Sequence, residues 1–155
     1  MRNVETSFCD ITRRIEFDAG HRIPSHSSKC RNVHGHRYVL LVTVRGKVQT
    51  TLGNTDDGMV TDFGDLKTIV MSCVGEPWDH AFLCYKGDHE MVDALSILGP
   101  NHKHVLLGFI PTAENLAKHA YELIEAELAC LPSKTFELKR VTLFETPNCS
   151  AVYPE

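Results

Sequence analysis

The 155-residue chain has six cysteines but no CxxC pair; they stand scattered at positions 9, 30, 73, 84, 130 and 149. In a secreted mini-protein that count points to disulfides, but a chain this long and 43 % hydrophobic does not need them. The sequence also lacks any apolar run long enough to cross a bilayer. Its opening residues, MRNVETSFCD, lack the apolar stretch of a secretory signal. These absences predict a cytoplasmic protein with no membrane partner. Positive charge is scarce too: 16 lysines and arginines face 20 carboxylates, a formal net charge of −4. Nothing in that balance attracts nucleic acid, so any polyanionic substrate must meet a local basic pocket. No repeat, low-complexity tract or linker interrupts the chain, and residues 1–155 are read as one domain.

What is abundant is histidine, nine in all, and strand-like alternation. Thr12 to His21 puts Ile15, Phe17, Ala19 and His21 on one face, with Arg14, Glu16 and Asp18 on the other. After a loop containing Pro24, His36 to Gly46 reads as a second strand. On it Tyr38, Leu40, Val42 and Val44 share the face of His34 and His36. Asp62 is placed to cap a helix carrying Phe63, Leu66, Ile69, Val70 and Cys73. Asp88 to Leu98 reads as a short helix and Val105 to Phe109 as a short strand. Pro111 and Thr112 open the strongest helix, with Ala113, Ala117, Ala120, Ile124 and Leu128 in a stripe. Phe136 to Glu145 and Ser150 to Tyr153 finish the chain as two strands, turning at Pro147 and Asn148. This order predicts an α+β fold, a four-stranded antiparallel sheet with helices packed on one face. Such a sheet has open edges, which a homo-oligomer would close.

His34 and His36 are two apart, so on a strand both imidazoles leave the same face. His21 ends the matching face of the preceding strand. A hairpin pairing would bring the three together as neutral ligands with an open fourth position, the pattern of a catalytic zinc site. His102 and His104 form a second HxH, read as a solvated turn before a strand. Cys30, four residues ahead of His34, has two readings. It is a fourth ligand that closes a structural site, or a reactive thiol beside a metal held by histidines alone. The residues by themselves leave both open.

The segments FDAGHR, CRNVHGH, WDH, PTAEN and LFETPNCSAVY run in order from residue 17 to 153. They resemble the successive motifs of the 6-pyruvoyltetrahydropterin synthase and 6-carboxytetrahydropterin synthase family. The resemblance implies the T-fold, in which subunits join antiparallel sheets into a barrel, in homo-oligomers built from trimers and often paired into hexamers. It implies Zn2+ on His21, His34 and His36, and Cys30 as a catalytic base. The family's Asp-His pair falls on Asp79 and His80, its pterin-anchoring carboxylate on Glu145, and a substrate-contacting threonine on Thr112. Some relatives have a second threonine at the following position, where this chain has Ala113.

The spacing of the resembling motif also bears on the reaction. Relatives making 6-pyruvoyltetrahydropterin tend to have five residues between the cysteine and HGH; those resembling 6-carboxytetrahydropterin synthase have three, as in C-RNV-HGH. A folate-pathway subfamily has a glutamate near the cysteine, where this chain has Arg31. The implied activity is a lyase step on a pterin triphosphate that belongs to the route to queuosine. It converts 7,8-dihydroneopterin triphosphate to 6-carboxy-5,6,7,8-tetrahydropterin, acetaldehyde and triphosphate. The alternatives are triphosphate elimination without C–C cleavage, and a non-catalytic zinc-stabilised module with Cys30 as ligand. Lys29, Arg22 and Lys103 are candidates to meet the triphosphate, and the segment Lys86–Lys103 looks longer than in compact relatives.

Overall fold

A computed structural model describes residues 7–155. Residues 1–6, part of the opening segment read for a signal, lie outside it. Strands β1 (Phe8–His21) and β2 (His34–Lys47) form one long antiparallel hairpin, in register from Phe8 opposite Lys47 to His21 opposite His34. Both strands run further than their alternation predicted: β1 begins at Phe8 rather than Thr12, paired to Lys47, and β2 at His34 rather than His36, paired to His21. Ile15, Phe17, Ala19 and His21 are buried on one face, with Tyr38, Leu40, Val42 and Val44 beside them. Fully burying side chains such as Leu40 and Val42 contributes about 1.5–3 kcal/mol each. Strand β5 (Phe136–Thr146) pairs with β2, and β6 (Cys149–Tyr153) returns along β5 after the turn at Pro147 and Asn148.

Helices cover the core face of the hairpin. Helix α1 (Phe63–Val70) starts where the Asp62 side chain accepts a hydrogen bond from the Gly64 N–H. It continues through a π-helical turn, Met71–Gly75, into a short α2 (Glu76–Trp78). Pro77 lacks an N–H and crowds the carbonyl four residues back, which accounts for the wider turn ahead of it. Helix α4 (Ala113–Ala129) is capped by Thr112 and buries Leu116, Ala117, Ala120, Ile124 and Leu128 against the sheet.

The sheet is larger and less uniform than the predicted antiparallel quartet. It has six strands in the order β4-β3-β1-β2-β5-β6. Two of them, β3 (Ala81–Tyr85) and β4 (His104–Leu107), add on in parallel beside β1. The AFLCY run of β3 carries no period, because both of its faces are covered. Ala81 and Leu83 join the main core, while Phe82 and Cys84 pack with Leu95 of helix α3 (His89–Ile97). Helices therefore do not lie on one face only: α3 covers the opposite face at the β3 end. That is what the Lys86–Lys103 segment does, connecting β3 to β4 through α3. Among the described residues, no helix is long and apolar enough to cross a membrane.

Candidate active site

The hairpin register decides where the histidines go. His21 and His34 face each other at the open end of β1 and β2, and His36 lies two residues along, opposite Ala19. Their ligating nitrogens all lie within 4.8 Å of one another. His21 is 1 % exposed. Its Nδ1 lies 2.8 Å from the Pro111 carbonyl, which can only accept, so the proton sits on Nδ1 and Nε2 keeps a bare lone pair. The Tyr38 hydroxyl stands 3.3 Å from the same Nδ1. His34 is fixed in the same tautomer by its Nδ1, 2.7 Å from the Asn32 carbonyl. The two bare Nε2 atoms then face each other at 3.1 Å with no hydrogen between them.

Two lone pairs at that distance repel unless a cation lies between them. Nitrogens on a tetrahedral zinc are about 3.3 Å apart, given Zn–N bonds of about 2.0–2.1 Å. His36 Nε2 is buried without a hydrogen-bond partner among the described residues. Burial, the largest influence on each, holds the pKa of His21 and His36 below the ordinary histidine range and favours the neutral, ligating form. The Glu145 Oε1 adds another electron pair, 3.5 Å from His21 Nε2 and 3.8 Å from His36 Nε2. Acceptors with no donor among them suit a divalent cation, and the three histidines could hold one with a position left open.

Cys30 lies in a short 3-10 turn, Lys29–Arg31, inside the loop that joins the two histidine strands. It is half-buried, and its carbonyl accepts the Ile23 N–H at 2.8 Å, which closes the loop. The thiol is not in the group of converging ligand atoms.

Asp79 and His80 follow α2 and stand at the head of β3. His80 has φ +56°, the only left-handed non-glycine residue among those described. Such a conformation costs a Cβ-bearing residue about 1–2 kcal/mol, so its surroundings must hold it. The Asp79 carboxylate accepts the Asp18 N–H at 2.9 Å and reaches His80 Nδ1 at 2.9 Å. The bond from the Asp18 N–H, then the one from His80, keep the Asp79 pKa below the usual carboxylate value. His80 is itself exposed, with no hydrogen bond to its Nε2 among the described residues. It borders a cleft of about 530 Å³ with His36, Arg37, His102 and Lys103. On the far side of His36, Glu145 borders a second hollow of about 780 Å³ with Val39, Leu41 and Phe144.

Residues 10–155 match the model of a family described as 6-pyruvoyl tetrahydropterin synthase. The chain belongs to that family. A 6-carboxy-5,6,7,8-tetrahydropterin synthase of Rickettsia bellii is 44 % identical over 139 residues, 89 % of this chain and 94 % of that protein. One of Haemophilus influenzae is 30 % identical over 94 % of this chain and 98 % of that protein. Among solved structures, a 6-pyruvoyl tetrahydropterin synthase of Caenorhabditis elegans superposes with a TM-score of 0.64 at 24 % identity, covering 96 % of both chains. An uncharacterized protein of Wolinella succinogenes reaches 0.75 at 22 %, covering 97 % of this chain and all of that one. These two establish the shared fold, a T-fold with a curled, mixed sheet.

For a tetrahydropterin synthase relative, the remaining candidates divide clearly. Thr112 accepts the Asn115 N–H at 3.4 Å as the α4 cap, and the neighbouring Pro111 carbonyl is what orients His21. Arg22 is a poor candidate for triphosphate. Its guanidinium grips Asp88 through two bonds of 2.6 Å and Glu90 through a third of 2.7 Å. Lys103 is engaged with main-chain carbonyls, and Lys29 stays exposed. His102 and His104 lie as read, at a turn before a strand: the His102 N–H donates to the Gly99 carbonyl and exposed His104 opens β4. His102 is only half-exposed, however, with Nδ1 buried and unpartnered among the described residues. The contributions of Pro111, Asn32 and Asp18 had no sequence signal, since they act through the main chain.

Proposed function

We propose that the chain is a zinc-dependent 6-carboxy-5,6,7,8-tetrahydropterin synthase. It would convert 7,8-dihydroneopterin triphosphate to 6-carboxytetrahydropterin, with release of acetaldehyde and triphosphate, on the route to 7-deazapurines such as queuosine. The observation that carries this reading is the convergence of three oriented imidazoles without Cys30, beside a free Glu145. Relatives bearing that name span nearly the whole chain.

His21, His34 and His36 would hold the ion. When bound there, the ion would supply a Lewis acid for the side-chain hydroxyls of the substrate, making a neighbouring proton easier to remove. The Cys30 thiolate takes that proton as general base. Asp79 fixes the His80 Nδ1, so His80 Nε2 moves protons from the cleft side. Glu145 accepts hydrogen bonds from the pterin amino and ring N–H groups, a paired, charge-assisted contact. Thr112 adds a substrate contact from the α4 end. The deprotonated substrate then loses triphosphate, and a water molecule adds at the side-chain carbon next to the ring as the adjacent C–C bond breaks. That carbon stays on the ring as the carboxylate, and the other two leave as acetaldehyde.

The helix-free face of β1, β2 and β5 exposes apolar Val39, Leu41 and Phe144 in a hollow. We take that face to line a barrel in a trimer-based homo-oligomer, in the cytoplasm. Mass-spectrometric product analysis on zinc-loaded protein tests the activity. Acetaldehyde and 6-carboxytetrahydropterin support it. A product that keeps its full side chain means the 6-pyruvoyl reaction instead, and no turnover at all favours a zinc-stabilised binding module.

A further inference from the structure

Lys103 stands one residue before β4, at the end of the segment that connects it to β3. Its Nζ donates to two main-chain carbonyls, those of Glu76 and Asp79, each at 2.6 Å. Both lie at the C-terminal end of α2, where a cation meets carbonyls that lack helical partners and the negative end of the helix dipole. The base of the side chain is tied down as well: the Lys103 carbonyl accepts the Phe82 N–H of β3 at 3.2 Å.

The Asp79 carbonyl belongs to the peptide group that joins Asp79 to His80. The other end of that group, the His80 N–H, donates to the Asp18 carbonyl at 2.6 Å. The peptide is therefore pinned at both ends, by β1 on one side and by Lys103 on the other. Rotation of this single plane is the local move that would return His80 from φ +56° to a negative φ, where a side-chain-bearing residue is unstrained. The Asp79 carboxylate grips the imidazole; Lys103 grips the backbone that carries it.

We propose that Lys103 is a positioning residue: by locking the Asp79–His80 peptide, it keeps His80 left-handed and aimed into the cleft shared with His36. What His80 does there rests on the synthase reading; how it is held does not. Among the described residues the Lys103 ammonium has no carboxylate partner, only the two carbonyls.

K103M keeps the apolar stem and removes the donor, while K103R keeps a cationic donor. A crystal structure of K103M should show the Asp79–His80 peptide rotated and His80 at negative φ. Retention of φ near its present value overturns the proposal. If K103M does not fold, K103Q, with an amide too short to bridge both carbonyls, is read in the same way. In turnover of 7,8-dihydroneopterin triphosphate, a misaimed catalytic group lowers kcat on the order of 100-fold, with KM little changed and activity largely restored in K103R. Adding K103M to His80→Ala should then cost nothing further, because the group being positioned is gone. Independent, multiplying losses would instead make Lys103 a general brace and refute positioning. Should the unaltered protein show no turnover, the synthase reading fails, and the K103M structure still decides the positioning claim.

Discussion

The histidine cluster and the Asp79–His80 turn border one cleft, yet they are built by opposite means. The cluster sits on two regular strands whose register puts His21 opposite His34. It needs only ladder pairing and two carbonyl contacts to orient its rings. The turn holds a side chain at an unfavourable φ, through bonds from β1 and from Lys103, distant in sequence. A ligand set gains from the rigidity and period of strands, which place donors to a fraction of an ångström. His80 leaves the regular element to face the cleft, so its geometry is borrowed from its neighbours.

That contrast can be broken most forcefully at the cluster. His34→Ala removes one of three converging nitrogens. Zinc affinity should fall by more than roughly 100-fold, beyond the loss seen when only an outer partner of a ligand is removed. Competition against a chromophoric chelator measures it, and His80→Ala in the same assay should bind zinc as the unaltered chain does. Gly35→Ala comes next. A Cβ there would sit 3.0 Å from the Ala19 carbonyl, a main-chain atom that cannot step aside. The hairpin should lose about 1–3 kcal/mol, the range for overpacking, read from denaturant unfolding.

The turn yields smaller effects. His80→Gly and His80→Ala both delete the imidazole, but only glycine adopts the left-handed φ freely. The glycine variant should be the more stable by about 1 kcal/mol; equal stabilities would mean that the turn relaxes without cost. The smallest effect is on pH dependence. The folded-state pKa of Asp79 is lowered, first by the Asp18 N–H and then by His80. Its contribution to stability is therefore present above the unfolded carboxylate value and is lost as the pH falls through the folded one. Melting temperatures of the unaltered chain and Asp79→Asn should differ at neutral pH and converge in acid.

The same contrast explains what was legible in the sequence. Period-two alternation from Ile15 to His21 and from His34 to Val44 placed the core face correctly and brought together three histidines that could hold a metal ion, because both strands have one wet face. Capping by Asp62 and Thr112 was legible too, since the side chain and the N–H it serves are neighbours. β3 was not, because AFLCY is covered on both faces and leaves no pattern. Nor was the second helical layer, as α3 packs on Phe82 and Cys84 of that same strand. The bridge from Lys103 to the Glu76 and Asp79 carbonyls joins residues over twenty positions apart through main-chain atoms that any sequence would supply. Arg22 looked free for phosphate only because its carboxylate partners, Asp88 and Glu90, lie far along the chain.

The enzyme reading depends on the Cys30 thiol standing apart from the three histidines. Zinc content of purified Cys30→Ala, measured by elemental mass spectrometry, tests that separation most directly. Three histidines that suffice as ligands predict the same zinc per chain as in the unaltered protein. A variant that loses its zinc would make Cys30 a ligand, close the site, and contradict the enzyme built on it.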